Sequence, residues 1–560
     1  MAMTRNLDPA DYAVISQALQ AIGREMGAKL VRSAYSTVVR EARDASAALT
    51  DRHGHVIAQA ELIPMQLGSI GATIQPCLER FPVETLEPGD FLITNDPYHG
   101  GQHLQDVFIF TPIFVDGRVV GFSASIAHHL DLGGGNPGLN ASSRDVYQEG
   151  IIIPPSKYSE RRDWNGGGLE RLIAANVRVP GQTIGDFYAQ FAANHIGAAR
   201  GAQLCARYGT DTVEATMAEL QDYAERRVRA AIAALPDGTY VGEDALDDRW
   251  GDGGTLTVRA TITVKGDTLA VDFKGTAGQV ACHVNAPFAS TVSATLSCLK
   301  AVLTGPDVPF NEGAKRPITV TAPYGSILNP RPPAPVRARM NSAYRAYGAV
   351  MRALGQAAPD RVVAQGYDTT WAAALSYLTP DGYKVHLDIL GGGLGAGSRS
   401  DGCDAVDGPL SNCSNTPIEV LDMDFDAYRA TAYELVADSG GAGVHRGGAG
   451  YRRAYAVVTD GVNFATYADR FQRAPQGLAG GRPGASALCR VRRDGQVIDA
   501  AINTGMILAK GDTVEFITGG GGGHGDGRAR PRGQLAEDIA DGLVSEAAAR
   551  RDYGLALGAD

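Results

Sequence analysis

Apolar positions in the N-terminal segment recur at helical spacing. Val14, Ile15, Leu19, Ile22, Met26 and Leu30 share one face of a 3.6-residue repeat, and Asp8-Pro9 offers an opening that tolerates proline. A helix is therefore predicted from there to about Tyr35. The period then changes. Residues 45–57 read as strand–turn–strand about His53-Gly54, residues 68–80 return to helix, and Phe91-Leu92-Ile93-Thr94 is a short buried strand ending at the Asn95-Asp96-Pro97 corner. Residues 107–115 and 119–128 flank Asp116-Gly117, a strong hairpin signal. A three-residue loop, Asp116-Gly117-Arg118, would pair Val115 with Val119 and carry Asp106 opposite His128, on the same face. A two-residue loop would put them on opposite faces unless a bulge intervened, and Pro112 is a candidate for one.

Further along, residues 158–168 form a polar, Gly-rich loop, 183–234 are largely helical, and 242–272 alternate as strands do. A mixed region runs to Ala357 and contains the stiff Asn329-Pro330-Arg331-Pro332-Pro333 segment. Residues 391–417 are rich in Gly, Ser and Asn with few apolar positions, as in a long irregular or functional loop. Strands dominate from Tyr451 to Phe516, and a terminal helix is expected from about Ala536 to Arg551. No internal repeat is evident. The expected fold class is mixed α+β, strand-rich, with N-terminal, central and C-terminal helices. At 560 residues the chain exceeds one ordinary core, so several subdomains are expected, with approximate subregions 1–180, 181–240 and 241–560.

Composition narrows the class. A hydrophobic fraction of 44% and a charged fraction of 20% are those of a soluble globular chain. The 70 glycines follow no collagen period and imply many tight turns and close backbone approaches. A net charge of −11 argues against nucleic acid and anionic membrane as partners. Seven cysteines, an odd number without a C-x-x-C pair, point to free thiols. With no signal-peptide pattern and no apolar run of membrane-spanning length, a cytoplasmic protein is expected.

Chemistry concentrates in two segments. Asn95-Asp96-Pro97-Tyr98-His99-Gly100-Gly101-Gln102-His103-Leu104-Gln105-Asp106 and Ala127-His128-His129-Leu130-Asp131 hold four of the 11 histidines beside three aspartates. Imidazole and carboxylate together suit Zn²⁺ or Mn²⁺. A lone histidine beside a turn is ordinarily structural. Here His103 and Asp106 stand three apart and an H-H-x-D run follows, which favours metal or catalytic use. Other patterns fail. No Gly-rich stretch (391–395, 440–443 or 519–523) is followed by Lys-Ser/Thr, and none has the setting of a dinucleotide fingerprint, so tight turns are the better reading. Ser439-Gly440 lacks the glycine that a nucleophile elbow needs, because Ala437 stands in its place. Cys403 and Cys413 are read as ordinary buried thiols.

The arrangement Asn95-Asp96-Pro97-Tyr98-His99-Gly100-Gly101-x-His103-x-x-Asp106, followed by Ala127-His128-His129-x-Asp131-x-Gly133-Gly134, resembles the hydantoinase B family, which includes the matching half of 5-oxoprolinase and a large subunit of acetone and acetophenone carboxylases. Glu149-Gly150-Ile151-x-Ile153-Pro154-Pro155, Asn311-x-Gly313, Pro323-x-Gly325-Ser326, Asp401-Gly402, Asp438-Ser439-Gly440-Gly441-Ala442-Gly443, Arg446-Gly447-Gly448 and the five glycines from 519 extend the likeness along the chain. The resemblance implies a hetero-oligomer with a separate hydantoinase A-type subunit that uses ATP to phosphorylate the carbonyl oxygen of a small cyclic amide. It implies metal ligands at His103, Asp106 and His128, with Asp44 of Arg43-Asp44-Ala45-Ser46 as a fourth. Zn or Mn would then lower the pKa of water toward ~7 for ring opening. His129 and Asp131 are the expected proton-moving or ligand-orienting residues. A carboxylase subunit and a non-catalytic scaffold are the alternatives; compactness favours the hydrolase, and the intact His/Asp set speaks against the scaffold.

Overall fold

The computed structural model describes residues 7–248, 250, 254–501 and 503–555. The chain resolves into two compact units. One comprises residues up to Gly135 with Ser143–Val241 and Ala260–Arg339; the other comprises Asn136–Ser142, Gly242–Arg259 and the chain from Met340 onward. The fold is mixed α+β, as the alternating periods predict.

The first unit is organised by a six-stranded antiparallel sheet. Its strands are β1 (Ala45–Asp51), β2 (Val56–Gln59), β3 (Asp90–Thr94), β4 (Asp106–Val115), β5 (Arg118–His128) and β6 (Ser156–Ser159), in the order β2-β1-β5-β4-β3-β6. Both faces are covered, which explains the nearly continuous apolar runs of β4 and β5. The face carrying Leu92, Phe108, Phe110, Phe122 and Ile126 packs with Ile70 and Ile74 of the Ile70–Arg80 helix. The face carrying Phe91, Ile93, Val107 and Ile109 packs with Phe187 and Phe191 of the Pro180–Tyr208 helix. The predicted N-terminal helix spans Pro9–Ser33, is capped by Asp8, and buries Ile15, Leu19, Ile22, Met26 and Leu30; Val14 faces solvent.

The β4–β5 hairpin corrects the loop expected from sequence. Val115 pairs with Arg118, so the turn has two residues, Asp116 and Gly117, both at positive φ. The pairing Phe114–Val119 is followed by Ile113–Gly121, so Val120 is an extra residue on β5. That bulge restores the register in which Asp106 faces His128.

Strands Gly238–Ala245, Thr257–Lys265, Thr268–Asp272 and Ile318–Thr321 form a four-stranded sheet; Arg249 and residues 251–253 of the expected strand region lie outside the described residues. The mixed region contains two helices that periodicity had not separated, Phe288–Leu303 and Arg339–Ala357. The first is buried nearly all round, so it has no polar stripe to reveal its period. Residues 158–168 are less loop-like than expected and include the short helix Glu160–Asp163.

The second unit has a four-stranded sheet (Gly382–Leu390, Trp371–Thr379, Val462–Tyr467, Asn503–Leu508) and a five-stranded one (Tyr428–Leu435, Tyr451–Val457, Thr513–Ile517, Leu488–Arg493, Gln496–Asp499). Their core includes Trp371, Tyr455, Phe464 and Phe516. The expected single terminal helix is two, Arg532–Ala540 and Glu546–Tyr553, separated where Gly542 takes φ +73°. Residues 391–417 contain no strand or helix. Their glycines interlock with the other Gly-rich stretches: a Cβ on Gly393 would stand 1.9 Å from the Gly448 carbonyl oxygen, and one on Gly521 1.9 Å from that of Leu394. Backbone-to-backbone packing thus accounts for these glycines. All seven cysteines are free; Cys413 is buried as expected, whereas Cys403 is exposed. Among the described residues no helix is long and apolar enough to cross a membrane.

Candidate metal centre

Three chain segments meet at one end of the neighbouring strands β1, β5 and β4. Ala45 pairs with Ala127 across β1–β5, and the His128 N–H donates to the Asp44 carbonyl oxygen at 3.0 Å. Asp106 pairs with His128 across β4–β5. Asp44, His128 and Asp106 therefore stand abreast on one face, because opposed residues share a face. His103 joins them from the turn before β4, where the Asp106 N–H donates to the His103 carbonyl oxygen at 3.1 Å.

One nitrogen or oxygen from each of His103, Asp106 and His128 lies within 4.8 Å of the others, and all three residues are buried. The two imidazole rings are 4.9 Å apart. His103 Nε2 stands 3.3 Å from Asp106 Oδ2, and His128 Nδ1 stands 3.3 Å from Asp44 Oδ2 and 3.7 Å from Asp106 Oδ1. These three separations fall within the roughly 3–4 Å expected between ligands of a tetrahedral site, and the His103, Asp106 and His128 set spreads to 4.8 Å. Arg339 Nη2 also donates to Asp106 Oδ2.

The electrostatics decide what can lie between these groups. Burial, then the Arg339 guanidinium, pushes the His103 imidazole down to about 4, so it is neutral at physiological pH. Its Nδ1 is 3.1 Å from the Arg337 carbonyl oxygen, which can only accept, so Nδ1 carries the hydrogen. The Nε2 lone pair consequently faces a carboxylate. Burial acts to raise the Asp106 carboxyl, but the Arg339 guanidinium outweighs it and holds it well below the usual carboxylate range. Burial likewise holds His128 well below an ordinary imidazole. Nε2 of His103 and Nε2 of His128 are both buried without a hydrogen-bond partner among the described residues. Buried polar atoms are rarely left so. Two neutral imidazoles and two carboxylates facing one another suit a borderline divalent cation.

Several residues that sequence reasoning had not assigned hold this arrangement. Gln66 Nε2 donates to Asp44 Oδ1 at 2.8 Å and to Asp106 Oδ1 at 3.3 Å. Arg339 Nε donates to Gln102 Oε1 at 3.1 Å. Glu149 accepts from Ser143 Oγ at 2.7 Å and from the Val336 and Arg337 N–H groups at 3.0–3.1 Å, fixing the segment whose carbonyl orients His103. Burial pushes the Glu149 carboxyl up to about 7 against these donors. The only sequence signal for Glu149 was its place in the Glu149-Gly150-Ile151 stretch.

The sequence profile described as hydantoinase B/oxoprolinase matches residues 8–527. The chain belongs to this family. Caprolactamase subunit beta of Pseudomonas jessenii is 31% identical over 98% of this chain and 96% of its own length. The crystal structure of the ATP-dependent caprolactamase from Pseudomonas jessenii superposes with a TM-score of 0.91 at 29% identity, covering 99% of this chain and 97% of that one. A nucleotide-free acetone carboxylase structure shares the fold, with a TM-score of 0.88 at 21% identity over 99% of this chain and 80% of that one.

The structure does not bring His129 and Asp131 into the cluster. Alternation along β5 turns His129 to the opposite face, where its ring stacks on Phe187 at 4.1 Å and Nε2 meets Gln190 Oε1 at 3.0 Å. Asp131 accepts from the Gly133 N–H at 3.0 Å and from the Arg178 N–H and guanidinium, closing the loop after β5. In the second unit of this hydantoinase B-type chain a cavity of about 540 Å³ is lined by Tyr347, Met351, Val362 and Leu394 and by no imidazole or thiol.

Proposed function

We propose that this chain is the metal-bearing subunit of an ATP-dependent cyclic amide hydrolase that opens a hydantoin, 5-oxoproline or related lactam ring. Asp44, His103, Asp106 and His128 hold the metal, Zn or Mn. The observation that carries this reading is the neutral His103 lone pair facing Asp106 at 3.3 Å with no proton to lie between them. The names of the caprolactamase relatives support the substrate class and the subunit role.

A divalent metal, when bound, supplies Lewis-acid polarisation of a carbonyl and lowers the pKa of water. The protein's own groups do the rest. The Arg337 carbonyl fixes the His103 tautomer, Gln66 bridges the two carboxylates, and Arg339 keeps Asp106 ionised. An amide carbonyl is a weak electrophile until its oxygen is phosphorylated. We assign that ATP-consuming step to a separate hydantoinase A-type subunit, because no Gly-rich stretch here has the Lys-Ser/Thr of a phosphate loop. His129 and Asp131 act on this chemistry only by holding the end of β5.

Reconstitution with a hydantoinase A-type subunit tests the reading. ATP cleavage should be stimulated by a cyclic amide, independent of bicarbonate, and matched by ring-opened product, while the purified chain alone leaves ATP intact. Turnover that requires a ketone and bicarbonate would replace this function with carboxylation.

A further inference from the structure

Beside Asp44, the first unit has an open cavity of about 540 Å³ whose charge is opposite to the chain's net −11. Arg24, Arg32, Arg40 and Arg43 line it, against Glu41 and Glu61. Arg40 is taken up by Glu41 at 2.7 Å. Among the described residues no hydrogen bond or ion pair engages the guanidiniums of Arg24, Arg32 or Arg43. Three unpaired guanidiniums around one cavity repel each other unless an anion joins them.

The local structure builds this cavity. Arg24, Ala28, Val31 and Arg32 lie on one face of the Pro9–Ser33 helix by their spacing. Gly27 brings that face onto the residues after β2: a Cβ there would stand 2.6 Å from Ala60 Cβ. The opposite wall ends at Arg43, whose φ of +60° lies in the left-handed region that favours glycine. Non-glycine residues held there cluster at functional sites. Through this turn Arg43 is exposed and lines the cavity while the next residue, Asp44, reaches His128 at 3.3 Å.

We propose that this cavity binds a small phosphate-bearing anion. Guanidinium forks match phosphate oxygens two at a time, and the volume is that of small-molecule sites, roughly 300–1,000 Å³. Successive Cα atoms are about 3.8 Å apart, so an anion on Arg43 is held at the border of the metal centre. Identifying the anion with the phosphorylated substrate rests on the proposed function; the anion site itself rests only on the three unpaired arginines.

Calorimetric titration of the full-length chain at constant ionic strength tests it, with inorganic phosphate, pyrophosphate, phenyl phosphate, ADP and a glutamate-rich peptide as probes. Saturable binding of one phosphate compound per chain is expected. Affinity should fall at least about tenfold, or ~1.4 kcal/mol, in Arg43→Gly and in Arg24→Gln/Arg32→Gln. Arg43→Gly relieves the positive φ, and the helix pair is exposed, so melting temperatures serve as fold controls. Phenyl phosphate binding tighter than ADP identifies a phosphorylated substrate; ADP binding tighter identifies the phosphates of a nucleotide. No saturable phosphate binding, wild-type affinity in both variants, or binding of the acidic peptide in place of the phosphates overturns the proposal. Titrating wild type with Zn²⁺ or Mn²⁺ separates the two readings. Phosphate binding without metal binding keeps the anion site and sinks the proposed function, and metal binding without phosphate binding does the reverse.

Discussion

Asp106→Asn is the most informative single change, because it removes a charge without removing volume. Asp106 is fully buried and meets Arg339, Gln66, His103 and His128. The variant orphans Arg339, whose side chain is only 6% exposed. Breaking a buried ion pair from one side costs about 3–5 kcal/mol. Coulomb's law gives about 4 kcal/mol for unit charges ~4 Å apart at an effective dielectric constant of ~20, so the two routes agree. With roughly 2–4 °C per kcal/mol for units of this size, the metal-free variant should melt about 6–20 °C below wild type.

Thermal melting in chelator and then in excess Zn²⁺ or Mn²⁺ separates the structural charge from the metal ligand. At about 100 times its Kd the metal should add ~2.7 kcal/mol to wild type and nothing to the variant. Asp106→Asn/Arg339→Met, which removes the orphaned charge as well, should regain most of the lost stability without regaining the metal response. A single variant that melts within about 2 °C of wild type and shows the same metal-induced rise refutes both the buried pairing and the ligand role.

Glu149→Gln replaces one of the two oxygens that accept from the Val336 and Arg337 N–H groups with an amide N–H₂ and removes the charge; metal affinity, measured by competition with a chromophoric chelator, should fall about 10–100-fold, and an unchanged affinity would show that the Arg337 carbonyl does not depend on that carboxylate. Burial pushes His386, bonded to Tyr428 at 2.9 Å, down to about 4, so the unfolded chain binds more protons than the folded one between about pH 6.5 and 4; stability is complete above that window and is lost as pH falls through it. The urea midpoint should therefore drop between about pH 7 and pH 5, and drop less in His386→Gln; equal slopes contradict the assignment. In the assembled complex, His128→Ala should lose metal and slow ring opening by orders of magnitude, because the metal is worth several kcal/mol and each ~1.4 kcal/mol is tenfold in rate. A folded variant with full metal occupancy and near-normal product formation would return His128 to a packing role.

The core of the site was legible because it is local in sequence and carried by strand alternation. His103 and Asp106 are three apart, and a hairpin signal joins Asp106 to His128. The register came out as expected for a different reason: a two-residue turn plus the Val120 bulge replaces a three-residue turn. Gly121 was the available clue, since a glycine inside a strand marks a bulge or a close approach, and a Cβ there would stand 2.3 Å from the Thr50 carbonyl oxygen. Pro112, the bulge candidate from sequence, instead pairs regularly with Phe122. Arg339 was not legible, because it reaches Asp106 across 233 residues of sequence and no local pattern encodes such a contact. The break in the terminal helix was within reach, as Gly542 lies where a C-terminal stop is favoured.

The missed arginines change the meaning of the cluster. Asp44 and Asp106 bring two negative charges, and Arg337 and Arg339, both of which act on His103 and His128, bring two positive ones. With both imidazoles neutral, these four charges cancel, and Glu149 beside Arg337 adds a negative charge when ionised. A divalent metal adds two positive charges to this buried group, and a bound anion would offset them. Reading only the His/Asp pattern, one would expect an acidic pocket that takes a metal by itself. The four charges together describe a centre in which metal and anion favour each other's binding, with the unpaired Arg43 one residue from Asp44 as the nearest handle for that anion. Reciprocity makes this measurable: if phosphate tightens metal binding by some factor, metal must tighten phosphate binding by the same factor. Metal affinity that is indifferent to saturating phosphate would uncouple the two sites, leaving the excess charge to be balanced by hydroxide or solvent.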